Sequence, residues 1–234
     1  MRDAFGGLGM FVVVGLAFVV ISGFAIWRVI RGFKAAQARR VAISAMATAK
    51  GYQYLGEYDL RSTLLRSAPF GTGDSRRARD VVWGRIGSRP FESFAYSYET
   101  RSDDSNGNTI TEVHPYQVTW VPLPAPIATM RFTGDDVLQR LLSKMGARDL
   151  VVESHEFNQR WKVWCEDERV GHAVLTPTLI NNLLSPGWNG RGLVIEGQVL
   201  MTYTAGHTDL AELEPVVGAL YRVLDDIPAF LRGA

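Results

Sequence analysis

The sequence predicts an α+β protein: an N-terminal transmembrane helix followed by an antiparallel-sheet domain with packed helices. Three features carry that expectation. Residues Ala4 to Trp27 form a run of 24 without a charged side chain. Several later segments alternate apolar and polar residues with period two, separated by turn-forming residues. Other segments place leucines and valines three and four apart, and these helical stretches stand apart from the run of strands instead of alternating with it.

As a helix, the uncharged run is about 36 Å long at 1.5 Å per residue, enough to cross a hydrocarbon core of about 30 Å. Its centre, Met10 to Ile21, holds no polar side chain to desolvate, and a helix satisfies its own backbone in lipid. Trp27 closes the run, where an indole prefers the headgroup region. A cleaved signal peptide is the rival. Its basic n-region is poor, because Asp3 offsets Arg2, and the small-residue step Ala36-Gln37-Ala38 lies among basic residues. A buried core helix is the third alternative.

Charge divides the chain near residue 50. Residues 1–50 hold seven basic side chains and one acid, a net of +6, against −5 for the remainder. Arg28, Arg31, Lys34, Arg39 and Arg40 follow the span, whereas Arg2 alone precedes it. The positive-inside rule therefore places the C-terminal region in the cytoplasm of a single-pass cell-membrane protein. The same cluster suits contact with anionic headgroups at the membrane surface. The expected organisation is an anchor over 1–34, a juxtamembrane helix over the alanine-rich 35–50 ending at Gly51, and a domain over 51–234 divisible into 51–132 and 135–232.

Within that domain, Val81–Ile86 and Phe91–Tyr98 read as strands about the turn Gly87-Ser88-Arg89-Pro90, with Phe94, Tyr96 and Tyr98 on one face. A solvated loop over 101–108 leads to a strand from Thr109 to Val121. Prolines 122, 124 and 126 then leave the ladder, and Ile127–Phe132 returns as a separate strand. Asp135 caps a helix that Gly146 ends. Leu150–Phe157 and Trp161–Asp167 read as a hairpin about Asn158-Gln159-Arg160. Thr176-Pro177 starts a helix that buries Leu179, Ile180, Leu183 and Leu184. Leu193–Glu196 and Val199–Tyr203 read as a hairpin turning at Gly197. A last helix begins near Asp209 with Glu212 as capping-box partner and buries Leu210, Leu213, Val217, Leu220 and Leu224.

Composition excludes several functions. One cysteine forms no internal disulfide and, with four scattered histidines, no thiolate zinc site. A net charge of +1 argues against a nucleic-acid partner. No glycine-rich phosphate loop is present, since Gly71-Thr72-Gly73-Asp74 lacks the third glycine and a Lys-Ser/Thr step, and no Gly-x-Ser-x-Gly elbow occurs. Nothing calls for a cofactor or a metal. The weak candidates for a ligand-binding or reactive site are Glu153, His155 and Cys165, because the predicted hairpin sets Glu153 opposite Cys165 with His155 beside them. The plainer reading is a packed strand face. Arg76-Arg77-Ala78-Arg79 reads as a solvated loop, and Trp188, on a predicted loop, as folded back onto the domain.

The stretch Glu153 to Val163, with Asp167 and then Leu175-Thr176-Pro177, resembles a chiefly actinobacterial family of membrane-anchored proteins of unknown function. Its pattern is a Glu-Ser or Glu-Asp step, Phe-Asn, an aromatic, Val, Asp and Leu-Thr-Pro. Pro69-Phe70-Gly71 and Ser75–Arg79 fit the same family, and the likeness covers residues 40–230, departing at Trp161, where phenylalanine is usual. The resemblance implies an anchor and an extramembrane domain but no activity. The expected function is a non-enzymatic binding or scaffolding module held at the cytoplasmic face of the bilayer, with a protein or small-molecule partner. The alternatives are a membrane-tethered hydrolase-like enzyme using Glu153, His155 and Cys165, or a lipid or small-molecule carrier using the face of Phe94, Tyr96 and Tyr98.

Overall fold

A computed structural model describes residues 27, 31–32, 34–57, 65–134, 149–206 and 210–233. The apolar run from Ala4, apart from Trp27, lies outside the described residues, as do Arg28, the predicted Asp135 helix and Asp209. Among the described residues no helix is long and apolar enough to cross a membrane. The chain divides into two units, residues 1–45 and 46–234.

In the first unit, the Arg31 guanidinium lies 5.1 Å from the centre of the Trp27 ring, and Arg31, Lys34 and Arg40 are exposed while Arg39 is half-buried. Helix α1 runs over 34–49. It ends as the glycine predicts: Gly51 takes φ +72°, Tyr52 N–H donates to Ala47 O (2.7 Å) and Gly51 N–H to Thr48 O (3.1 Å). That is a Schellman closure of the last turn.

The second unit is built on one six-stranded antiparallel sheet: β1 (Gln53–Glu57), β2 (Asp74–Ile86), β3 (Arg89–Asp103), β4 (Thr109–Gly134), β5 (Trp161–Cys165) and β6 (Arg191–Ala205). Strands β1 to β5 pair in chain order, and β6 adds to β4. Residues on both sides of the 132–135 boundary therefore share one sheet. Arg76–Arg79 belong to β2, not to a loop, and Ala78 among them is fully buried. Their irregularity appears instead as two bulges, with Ser75 and Asp80 at positive φ. The Tyr54 hydroxyl donates to Asp80 Oδ1 (2.7 Å) and holds the second bulge.

Two expectations about β4 and β6 need correction. Ile127–Phe132 is not a separate strand, because β4 continues through the prolines, and Leu193–Tyr203 is not a self-paired hairpin. Residues 116–122 of β4 pair with 199–205 of β6, and 127–132 pair with 193–197. The register shifts between Pro122 and Ile127, where three prolines lack an N–H, and Gly197, opposite Ile127, sits at φ +60°. The pair bends there and doubles back. Thr202 Oγ1 donates to Gly192 O (2.8 Å) and Thr204 Oγ1 to Gly190 O (3.1 Å). In a straight strand, residues ten apart would lie about 33 Å away from each other. The sheet thus has two leaves. One holds β1, β2, β3, the first arm of β4 and the second arm of β6. The other holds β5, the second arm of β4 and the first arm of β6.

The main core draws on both leaves. It joins Ala78, Val81, Phe94, Tyr96, Tyr98, Tyr116, Val118, Met201 and Tyr203 to Val194 of the second leaf and to Leu65 and Phe70 of the segment before β2. Phe70 packs on Tyr96 with ring centres 4.5 Å apart, and Tyr98 stacks on Tyr116 at 5.8 Å. Burial pushes the Tyr96 hydroxyl up to about 12 and raises that of Tyr203 further. The segment 65–70 is tied down by its backbone: Arg66 N–H and Ser67 N–H each donate to one Glu196 oxygen, both at 2.9 Å. Arg131 Nε donates to Ser67 Oγ (3.1 Å) while its guanidinium covers Trp164.

Among the described residues the unit also carries the short or amphipathic helices α2 (His155–Arg160), α3 (Glu168–Val174), α4 (Pro177–Leu183) and α5 (Leu213–Asp226). The last packs on β4 and β6 through a stripe including Leu213, Val217, Leu220 and Leu224. It starts at Leu213 after a 3-10 turn, and Glu212 makes no side-chain cap. Polar contacts fix its ends. Glu214 takes hydrogen bonds from Lys50 Nζ (2.7 Å) and the Tyr52 hydroxyl (3.0 Å), and Asn182 of α4 donates to Asp226 (2.8 Å).

Candidate functional site

The predicted hairpin of Glu153, His155 and Cys165 is not formed. His155–Arg160 is a helix, and β5 pairs with β4 so that Cys165 lies opposite Met130. The helix wins because Ser154 caps it, accepting from Phe157 N–H at 3.3 Å, while Phe157 is buried. His155 is exposed and bonded to Gln159 (2.9 Å). The Cys165 thiol donates to Asp167 O at 2.9 Å, and burial pushes its pKa up, away from thiolate chemistry. Glu153 lines a shallow cavity of about 530 Å³ with His172, and neither His155 nor Cys165 lines it. No group of three or more metal-ligating side chains occurs among the described residues.

The Glu153–Pro177 motif instead does architectural work. The Asn158 amide both accepts from Val152 N–H (3.1 Å) and donates to Val152 O (2.6 Å). The Arg160 guanidinium donates to Leu184 O, to Ser185 O (3.0 Å) and to Asn189 Oδ1 (2.6 Å), and Trp161 Nε1 donates to Leu183 O (3.1 Å). Thr176 caps α4 as predicted, with Pro177 in its first turn. Trp188 folds back and is 2% exposed.

Phe94, Tyr96 and Tyr98, the predicted carrier face, are buried core residues. The groove lies one row further along the same face. Cross-strand pairing sets Gln53 opposite Trp83, Trp83 opposite Glu92, Glu92 opposite Trp120, and Trp120 opposite Met201. Directly opposite residues in antiparallel strands share a face. The row therefore crosses five strands on the core side of the sheet, and it emerges from under the covering segment. Trp83 is 45% exposed, Trp120 is partly buried with its ring 5.0 Å from Phe94 in an edge contact, and Glu92 between them is buried at 8%.

Gln53, Trp83, Glu92 and Trp120 of this row floor an open groove of about 950 Å³, while Met201 is fully buried. Leu65, Pro90, Phe91, Pro122 and Val199 add apolar walls, with Arg85, Glu196 and Gln198 also lining it. The bend of β6 at Glu196–Val199 forms one side, so the fold's sharpest feature builds the site. Sequence patterning places both Trp83 and Trp120 in strands. Their convergence depends on register across two strand pairs, which alternation within each strand does not supply. A weak signal existed: Trp83 is two residues from Val81 and so shares its face.

No family model matches the chain, and no curated protein does. The fold is similar to the crystal structure of the mycobacterial trehalose monomycolate transport factor A, TtfA, with a TM-score of 0.58 at 10% identity, covering 79% of this chain and 91% of that one.

Proposed function

We propose that this protein is a single-pass, membrane-tethered accessory module of lipid transport, working by binding and not by catalysis. The fold match to TtfA, over most of both chains, is the observation that carries the reading. The uncharged Ala4–Trp27 run supports the tether, and the basic residues Arg28, Arg31, Lys34, Arg39 and Arg40 after it support a cytoplasmic domain in contact with anionic headgroups. Tethering raises the effective concentration of the domain toward partners in the same bilayer. The dispersal of Glu153, His155 and Cys165 favours binding over the hydrolase alternative.

Crosslinking in intact membranes followed by mass spectrometry tests this. The expected result is recovery of the chain in carbonate-washed membranes, crosslinked to an integral membrane protein of lipid export. Release into the carbonate wash would refute the tether. Digestion of residues 46–234 by protease outside whole cells would refute the cytoplasmic orientation.

A further inference from the structure

We propose that the Trp83–Glu92–Trp120 groove binds one acyl chain of a lipid monomer, lying across the strands on the indole floor. The groove has the volume of a small-molecule site, and the row residues that line it, Gln53 to Trp120, span three strand gaps, about 14 Å. That shape suits a long, narrow ligand.

The chemistry of the ligand follows from what the polar lining already does. Both carboxylate oxygens of Glu196 accept backbone N–H groups of the covering segment. Arg85 Nη2 donates to Ser88 O within its own turn. Glu92 is buried and engaged within the protein. A sugar or peptide buried here would lose its water hydrogen bonds against carboxylates that are already partnered, a penalty that a hydrocarbon does not incur, while the exposed Gln53, Gln198 and Arg85 are left to meet a polar end. Trp83, Trp120, Leu65, Pro122 and Val199 offer only apolar surface, save the single N–H of each indole. The buried part of the ligand is therefore hydrocarbon, and its polar end stays in water at the rim. This inference deepens the lipid-transport reading and takes from it only the bilayer as the source of the chain.

The test is photocrosslinking of the full chain in nanodiscs with a palmitic acid bearing a terminal diazirine, the adducts being mapped by peptide mass spectrometry. Saturable adducts are expected on peptides carrying Trp83, Trp120 or Val199, competed by unlabelled palmitate and not by a free disaccharide. Val199→Trp, which fills the groove, and Trp83→Ala, at a half-exposed position where truncation leaves the core intact, are each expected to cut them about tenfold. Adducts confined to residues 1–45 would overturn the proposal, as would competition by the disaccharide. Groove adducts unchanged in Trp83→Ala and rising with total nanodisc lipid would mean surface contact with the bilayer, which also overturns it. A chain found outside the nanodisc fraction refutes the tether separately, and the crosslink is then read in buffer, where the same outcomes decide.

Discussion

The doubling back of β6 makes a substitution at Gly192 change sign. Its φ is not positive, so alanine fits the backbone, and Gly→Ala at such a position ordinarily stabilises by about 0.4–1 kcal/mol. A Cβ at residue 192, however, would sit 2.3 Å from Tyr203 Cζ and 2.6 Å from Tyr203 Cε1 and Oη. Tyr203 is 2% exposed and part of the core, so its ring has nowhere to swing. Overpacking of this kind costs about 1–3 kcal/mol. At about 2 kcal/mol, Gly192→Ala is expected to lower the melting temperature of a unit of this size by about 4–8 °C. Tryptophan fluorescence of the full chain in nanodiscs, followed on heating, measures it. Tyr203→Leu lacks the ring-tip atoms, so in that background the added cost of Gly192→Ala is expected to shrink by about 1 kcal/mol or more. In a straight strand the two residues would lie about 36 Å apart. A neutral or stabilising Gly192→Ala, or a cost undiminished in the Tyr203→Leu background, would refute the doubled strand.

Three further outcomes are expected. Arg160→Lys replaces a planar fork that reaches Leu184 O, Ser185 O and Asn189 Oδ1 by a point charge, and should destabilise by about 1–2 kcal/mol, read as a lowered melting temperature; an unchanged one would show the clamp to be idle. The hydrogen bonds from Lys50 and Tyr52 hold the Glu214 carboxyl below its ordinary pKa, so their stabilisation is full above that ordinary value and fades as pH falls through the depressed one. Glu214→Gln should therefore narrow its gap to the parent as melts are taken from pH 7 down to about pH 2, and a gap constant with pH would contradict it. Cys165, with its pKa raised by burial, should react with iodoacetamide more slowly than glutathione at pH 8 and keep accelerating above about pH 9; a rate that levels off below pH 8 would mark an activated thiol.

Local signals in the sequence led to correct local structure where one residue decides the outcome. Gly51 closes α1, Thr176-Pro177 opens α4, and the 3–4 spacing of Leu213, Val217, Leu220 and Leu224 buries one face of α5. The alternation of Phe94, Tyr96 and Tyr98 likewise located the core face. Failures came where two short-range signals competed. Asn158 suits a turn, yet the Ser154 cap and the buried Phe157 make residues 155–160 a helix, and with that the pairing of Glu153 and Cys165 disappears. Prolines 122, 124 and 126 mark a break in hydrogen bonding, but whether a strand ends or bends there depends on a partner 70 to 80 residues away. The groove was illegible for the same reason. Trp83, Glu92 and Trp120 are ordinary strand residues until two registers align them.

Because β4 and β6 each run through both leaves, the leaves cannot part like jaws. Separating them would have to break the β4–β6 pairing on either side of the bend, Pro122 with Val199 and Ile127 with Gly197. Any guest must then enter the cleft sideways from its open rim, into walls already in position, with little reorganisation to weigh against its affinity and no closing motion to slow its departure.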